Sequence, residues 1–338
     1  MDRREVLQMG AAAIAIGAVA KPALAQNTSG WKNSVDGYSR TMHWVRTAEE
    51  VAQVCREVGN TSIDLTVRSA TQGSAAGHVL PEKAKTDLVP FINTLKRNGV
   101  TVHMIAMEVA DATTPYLEDM LAAASSAGVH HTWWRGLTFD PALPYPKALD
   151  ALKPRVEALA KMLAKYQFKA CYHPGGDFTQ LLDLCRPFDP RNISIQYDSG
   201  NFGQFNQGTL ATQIRTAGPY VGAFVFKDFY IEKLTPEQVA AAAAGRGGRG
   251  GGGGGGSPNG WSSRQVPVGT GVLNLPVICK ALKDINFQGP IECQPEWPEL
   301  GGPNQGLDKL SIPRADVIRL LKRDLDTVSA PLKEAGVI

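Results

Sequence analysis

Cysteine is scarce and odd in number: five residues, Cys55, Cys171, Cys185, Cys279 and Cys293, with no Cys-x-x-Cys pair. That argues against a disulfide scaffold and against a zinc-finger site. A dominant charge is also missing. Lys+Arg is 35 and Asp+Glu is 32, a formal charge of +3, and basic residues form no run. Nothing in that balance calls for a nucleic-acid partner. No Gly-x-Gly-x-x-Gly follows the first strand-like stretch, so no nucleotide cofactor is expected. Beyond the N-terminus, no stretch is apolar enough to span a bilayer. What is present is 43% hydrophobic and 20% charged residues over 338 positions. This composition excludes wholesale disorder and fits two ordinary domains or one large α/β barrel.

The first 25 residues read as an address. Asp2-Arg3-Arg4-Glu5-Val6 is a twin-arginine start, residues 9–20 are a short apolar stretch, and Ala23-Leu24-Ala25 is an A-x-A cleavage pattern. The expectation is a signal peptide over 1–25, cleaved before Gln26 and carried by the twin-arginine export machinery. A mature chain of 313 residues (338 less 25) would then be periplasmic or secreted, with no membrane association after cleavage.

Along 26–338, short apolar runs alternate with longer amphipathic ones. Strands are expected near 41–45 and over 62–68, 100–107, 129–135, 169–173, 193–198, 221–227 and 290–294. Helices are expected between them, the first opened by the capping box Thr47-Ala48-Glu49-Glu50 and the last running over 313–332. Eight strand–helix units call for a parallel sheet and suit a closed (β/α)8 TIM barrel, an α/β fold. One stretch breaks the pattern. Ala240 to Ala244 are alanines, and ten of the twelve residues over 245–256 are glycine. This composition predicts a flexible insertion at 240–260, after the seventh strand.

In a parallel barrel, functional groups gather at the C-terminal ends of the strands. The polar residues expected there are Asp64 and Arg68, Glu108, Arg135, His173, Asp198, Lys227-Asp228, and Gln294 with Glu296. Period-two geometry puts Gln196 with Asp198, Val225 with Lys227, Cys171 with His173, and Glu292 with Gln294 and Glu296 on shared faces. His173, Asp198, Lys227 and Gln294 or Glu296 are therefore expected to converge above the barrel. Arg68, His78 and Glu82, in the loop after the second strand, are candidates to cover the pocket and bind hydroxyls, with Arg135 and Gln294 as further substrate contacts. Trp133 and Trp134 alternate, so one is expected under the helices and the other toward the pocket.

Four motifs in order carry a resemblance: Tyr172-His173-Pro174-Gly175-Gly176-Asp177-Phe178, Gln196-Tyr197-Asp198-Ser199-Gly200-Asn201-Phe202, Phe226-Lys227-Asp228-Phe229, and Val268-Gly269-Thr270-Gly271 followed by Gly289-Pro290-Ile291. The chain resembles the sugar phosphate isomerase/epimerase family of xylose isomerase-like barrels, from about the first strand to the last helix. The resemblance implies an exported isomerase or epimerase acting on a free sugar or sugar derivative by an enediolate-type proton transfer. A sugar lyase or dehydratase, or a carbohydrate-binding barrel without catalysis, are the alternatives. It also implies a divalent metal (Mg, Mn or Zn) at a degenerate site, held by Asp198, His173 and Glu296. The degeneracy is visible in the residues: the strand-seven histidine of such relatives falls on Val225 and the strand-eight glutamate on Gln294. Lys227 is the candidate to replace the metal's charge, and His173, Asp198 or Glu296 to exchange the proton.

Overall fold

The computed structural model describes residues 34–71, 74–173, 177–203, 207–244 and 260–338. The expected signal peptide and most of the glycine-rich insertion lie outside the described residues.

Eight parallel strands close into a barrel: β1 (Asp36–Tyr38), β2 (Ser62–Val67), β3 (Thr101–Met107), β4 (His131–Trp134), β5 (Lys169–Tyr172), β6 (Ile193–Asp198), β7 (Val221–Phe226) and β10 (Ile291–Cys293). Closure is made where β1 pairs with β10, Asp36 opposite Glu292. The expected TIM barrel is the observed fold. Seven of its strands fall where the alternation places them. The first does not: 41–45 is not a strand, and β1 lies earlier, followed by the 3-10 turn Ser39–Met42. A three-residue strand is too short to show a period, and Thr41 Oγ1 donates to the Tyr38 carbonyl at 2.7 Å, turning the chain at once.

Strand residues alternate between two buried environments. Ile63, Leu65, Val67, Ile193, Ile195, Tyr197, Phe224 and Phe226 join the core between barrel and helices. Tyr38, Met104, Ala106, Trp133, Cys171 and Ala223 form a second cluster inside the barrel. Both faces of a parallel strand are covered, so its outward face is as apolar as a core. Helices follow their local signals. The helix Ala48–Val58 has the complete capping box, Glu50 N–H to Thr47 and Thr47 N–H to Glu50, and ends at Gly59 with φ 93°. Asp177 caps Phe178–Cys185, Asn274 caps Leu275–Asp284, and Arg314–Glu334 closes the chain.

The insertion is a correction in part. Ala240 to Ala244 complete a helix, Pro236–Ala244, as an alanine run should. On either side stands an antiparallel hairpin outside the barrel, β8 (Asp228–Lys233) with β9 (Trp261–Val266), Lys233 opposite Trp261. Among the described residues, no helix is long and apolar enough to cross a membrane.

Candidate active site

The ends of β6 and β7 are tied together by one hydroxyl. Ser199 Oγ donates to the Lys227 carbonyl and accepts from the Lys227 N–H, both at 3.0 Å. This fixes where the Lys227 side chain starts. Its Nζ lies 3.0 Å from Asp198 Oδ2 and 3.0 Å from Glu296 Oε2.

Asp198 is held by its own motif. After the strand, Ser199-Gly200-Asn201 folds back so that Oδ1 accepts from the Gly200 N–H (2.9 Å) and the Asn201 N–H (3.0 Å). Oδ2 accepts from Asn201 Nδ2 at 3.0 Å as well as from Lys227. Gly200 is required there: a Cβ would stand 2.2 Å from the Phe229 ring. With both oxygens occupied and no exposure, Asp198 is an anchor for the ammonium rather than a proton acceptor.

Glu296 lies just beyond β10 and is shared. Its Oε1 accepts from Arg40 Nη1 at 2.8 Å and its Oε2 from Lys227 and from Gln265 Nε2 at 3.4 Å. Burial alone would raise its pKa, but Lys227 and Arg40 override burial and hold it at about 2. The same balance keeps Lys227 charged. Burial pulls its pKa down, and Asp198 and Glu296 more than restore it, so it is raised. The result is a chain of alternating charge, Asp198–Lys227–Glu296–Arg40, across the mouth.

His173 stands beside this chain. Its ring meets Trp133 edge-on, centroids 4.8 Å apart, and Trp133 stacks on Tyr38 at 6.5 Å. Burial, with the nearby Lys227 charge, lowers the His173 pKa to about 4. The imidazole is therefore neutral at pH 7 and able to accept a proton. Of the tryptophan pair, Trp133 is the one inside; Trp134 is in the outer core against Tyr172, at 4.7 Å.

Other expected residues sit at different removes. Gln294 is buried between β7 and β10: its N–H donates to the Phe226 carbonyl at 3.2 Å and its amide to Glu292. Arg68 and Arg135 both face Glu108. His78 packs away from the ion pairs, on His43 (5.1 Å) and Phe91 (5.8 Å). Glu82 is exposed on the 3-10 helix Pro81–Lys83. Neither joins the charged chain, because the loop after β2 carries them outward. Asp64 does not end in the mouth but points inside the barrel, where burial raises its pKa and that of Glu292 well above the carboxylate range.

Arg40 and Gln265 are site residues that the strand-end rule missed. Arg40 was missed because β1 was expected five residues too late, so Arg40 fell ahead of the strand instead of after it. Gln265 arrives on β9. The aromatic and β-branched residues flanking the glycine-rich stretch, Phe229-Tyr230-Ile231 on one side and Trp261 and Val266 on the other, have strand propensity but no alternation to reveal the hairpin.

The implied divalent metal does not fit these residues. The position between Asp198 and Glu296 holds an ammonium 3.0 Å from each, Asp198 is saturated by four donors, and Val225 and Gln294 supply no carboxylate or imidazole. Among the described residues, no three His, Cys, Asp or Glu side chains are grouped as a metal site.

A family model of xylose isomerase-like TIM barrels matches residues 95–311, and the chain belongs to that family. No curated protein matches the sequence. Among solved structures, the chain is similar to the IolI protein with a bound zinc atom, at 15% identity, over 88% of this chain and 98% of that one, with a TM-score of 0.59. It is similar to L-ribulose 3-epimerase at 13% identity, over 89% and 95%, TM-score 0.57. It is also similar to a probable 3-DHS dehydratase, AsbF, from Bacillus anthracis, at 12% identity, over 88% and 98%, TM-score 0.56. At these identities the likeness is one of fold.

Proposed function

We propose that this barrel is a sugar isomerase or epimerase in which the Lys227 ammonium supplies the positive charge that relatives draw from a metal. The observation that carries the reading is the placement of Nζ at 3.0 Å from both Asp198 and Glu296. Two of the three N–H donors of a lysine are then used, and one is left for a substrate oxygen. Trp133 and Tyr38, stacked on each other inside the barrel, make an apolar aromatic base beneath the charged chain that suits the C–H surface of a sugar. Neutral His173 takes the proton from the carbon beside the carbonyl. The C–H electron pair forms the enediolate double bond, and the carbonyl pair moves onto the oxygen facing Lys227. Return of the proton to the neighbouring carbon, with a hydroxyl proton passing between the two oxygens, gives the isomer. Return to the same carbon from the other face gives the epimer.

The test is turnover of a panel of aldoses, ketoses and 3-keto sugars, with and without chelator. Activity should survive chelation unchanged and fall about 10²–10³-fold in Lys227→Met, the usual effect of losing one donor to a developing oxyanion. Loss of activity on chelation, restored by a divalent ion, would replace the lysine with a metal. Absence of turnover by the wild type across the panel would leave a carbohydrate-binding barrel.

A further inference from the structure

The charge at the mouth does not balance. Lys227, Arg40, Arg68 and Arg135 face three carboxylates, Asp198, Glu296 and Glu108. The acids below them do not make up the difference: Asp64 accepts from the Ser39 N–H and Glu292 from the side-chain amides of Gln196 and Gln294, and neither pairs with these cations. The deficit falls on Arg68. Its side chain is only 10% exposed, and its nearest carboxylate, Glu108, is 3.8 Å from Nη1, too far for a hydrogen bond. Glu108 is already hydrogen-bonded to Arg135 Nη2. Arg68 Nη2 donates to Ser74 Oγ, a neutral group, and Arg68 Nε is buried with no partner among the described residues. Burial, and then repulsion from Arg40, push its pKa down. A buried guanidinium with an unfilled donor edge is costly unless something else fills it.

We propose that the Nε edge of Arg68, with Arg135 beside it, anchors a carboxylate on the substrate, so that the sugar handled by this site is a sugar acid. The inference rests on the sugar-processing reading above and adds its substrate class. A planar carboxylate matches the two-pronged edge of a guanidinium. One surplus positive charge matches a monoanion, whereas a phosphate monoester brings close to two negative charges.

The test is calorimetric titration of the full chain with paired sugars: D-glucuronate against D-glucose, and D-galacturonate against D-galactose, with D-glucose 6-phosphate as a third arm. At least one uronate should bind tenfold or more tightly than its parent aldose, and added salt should erode that preference but not aldose binding. Arg68→Gln should remove the preference. If that variant fails to fold, Arg135→Gln, on the exposed rim, should reduce the same ratio. Equal affinity for uronate and aldose, or an unchanged ratio in the folded variants, overturns the inference and leaves the sugar-processing reading standing. Tighter binding of the sugar phosphate overturns the carboxylate. Binding of no sugar overturns both readings.

Discussion

Asp198 shows how one side chain can hold both a backbone turn and a neighbouring charge. Its Oδ1 satisfies two backbone N–H groups, and its Oδ2 holds Lys227 and Asn201. Asp198→Asn keeps an acceptor for the two amides but presents an N–H₂ where Lys227 and Asn201 also donate. Asp198→Ala leaves both amides without a partner. Both variants should lose activity at least a hundredfold, as Lys227 loses the contact that aims it. They should differ in stability: Ala should cost about 1–3 kcal/mol more than Asn, the penalty for orphaned buried donors. Denaturant melts of the two beside wild type check this, and equal stability would mean the turn does not depend on the carboxylate.

The loop ahead of the helix Leu275–Asp284 shows the same logic across an element. Asp228 follows Lys227 directly and is buried. Its Oδ2 accepts from the N–H groups of Gly269 (2.9 Å) and Gly271 (3.0 Å), and its Oδ1 from Leu273 (3.1 Å) and Phe229 (2.8 Å). Lys227 and Asp228 are adjacent but point to different tasks: Lys227 to the mouth, Asp228 to the loop. The loop closes so tightly on the carboxylate that a Cβ on Gly271 would stand 2.3 Å from Asp228 Oδ1. Asp228→Ala should therefore destabilise the fold by about 2–4 kcal/mol, several charge-assisted bonds being lost together. A fall in Tm of under two degrees would show that the loop is held by packing instead. This pairing of Lys-Asp with Gly-x-Gly some forty residues later was legible as two separate motifs. Their contact was not, because β8, β9 and the glycine-rich stretch intervene in sequence and fold aside in space.

At the scale of the whole molecule, buried histidines set the response to acid. Burial is the leading cause that lowers His43 (to about 2), His78 and His173 (each to about 4) and His131. For a group lowered in this way, the unfolded chain takes up the proton first, from about pH 6.5 downward. Stability is then complete above that pH and declines as pH falls toward 4. Glu296, lowered to about 2, adds a further loss below about pH 4.5. Asp64, Glu292 and Asp324 act in the opposite sense, since raised carboxyls are protonated in the fold before they are in the unfolded chain. Four histidines outnumber these three carboxyls, so Tm should rise between pH 4 and 6.5. A flat or falling Tm over that interval would show that the interior histidines are charged in the fold.

The barrel was determined by the sequence alone, because period-two and period-3.6 patterns are local and eight of them in alternation admit few closures. So were His173, Asp198, Lys227 and Glu296 as neighbours, since parallel strands in succession bring their C-terminal ends to one mouth. Three things were decided only by the tertiary structure. One is the entry of Arg40 and Gln265, which come from a strand too short to show a period and from a hairpin split by low-complexity sequence. Another is the division of labour among the acids, fixed by which oxygens are already filled by backbone N–H groups. The last is the unbalanced cation at Arg68. Charge balance there depends on distances of a few ångströms between side chains far apart in the chain, and no local pattern encodes those distances.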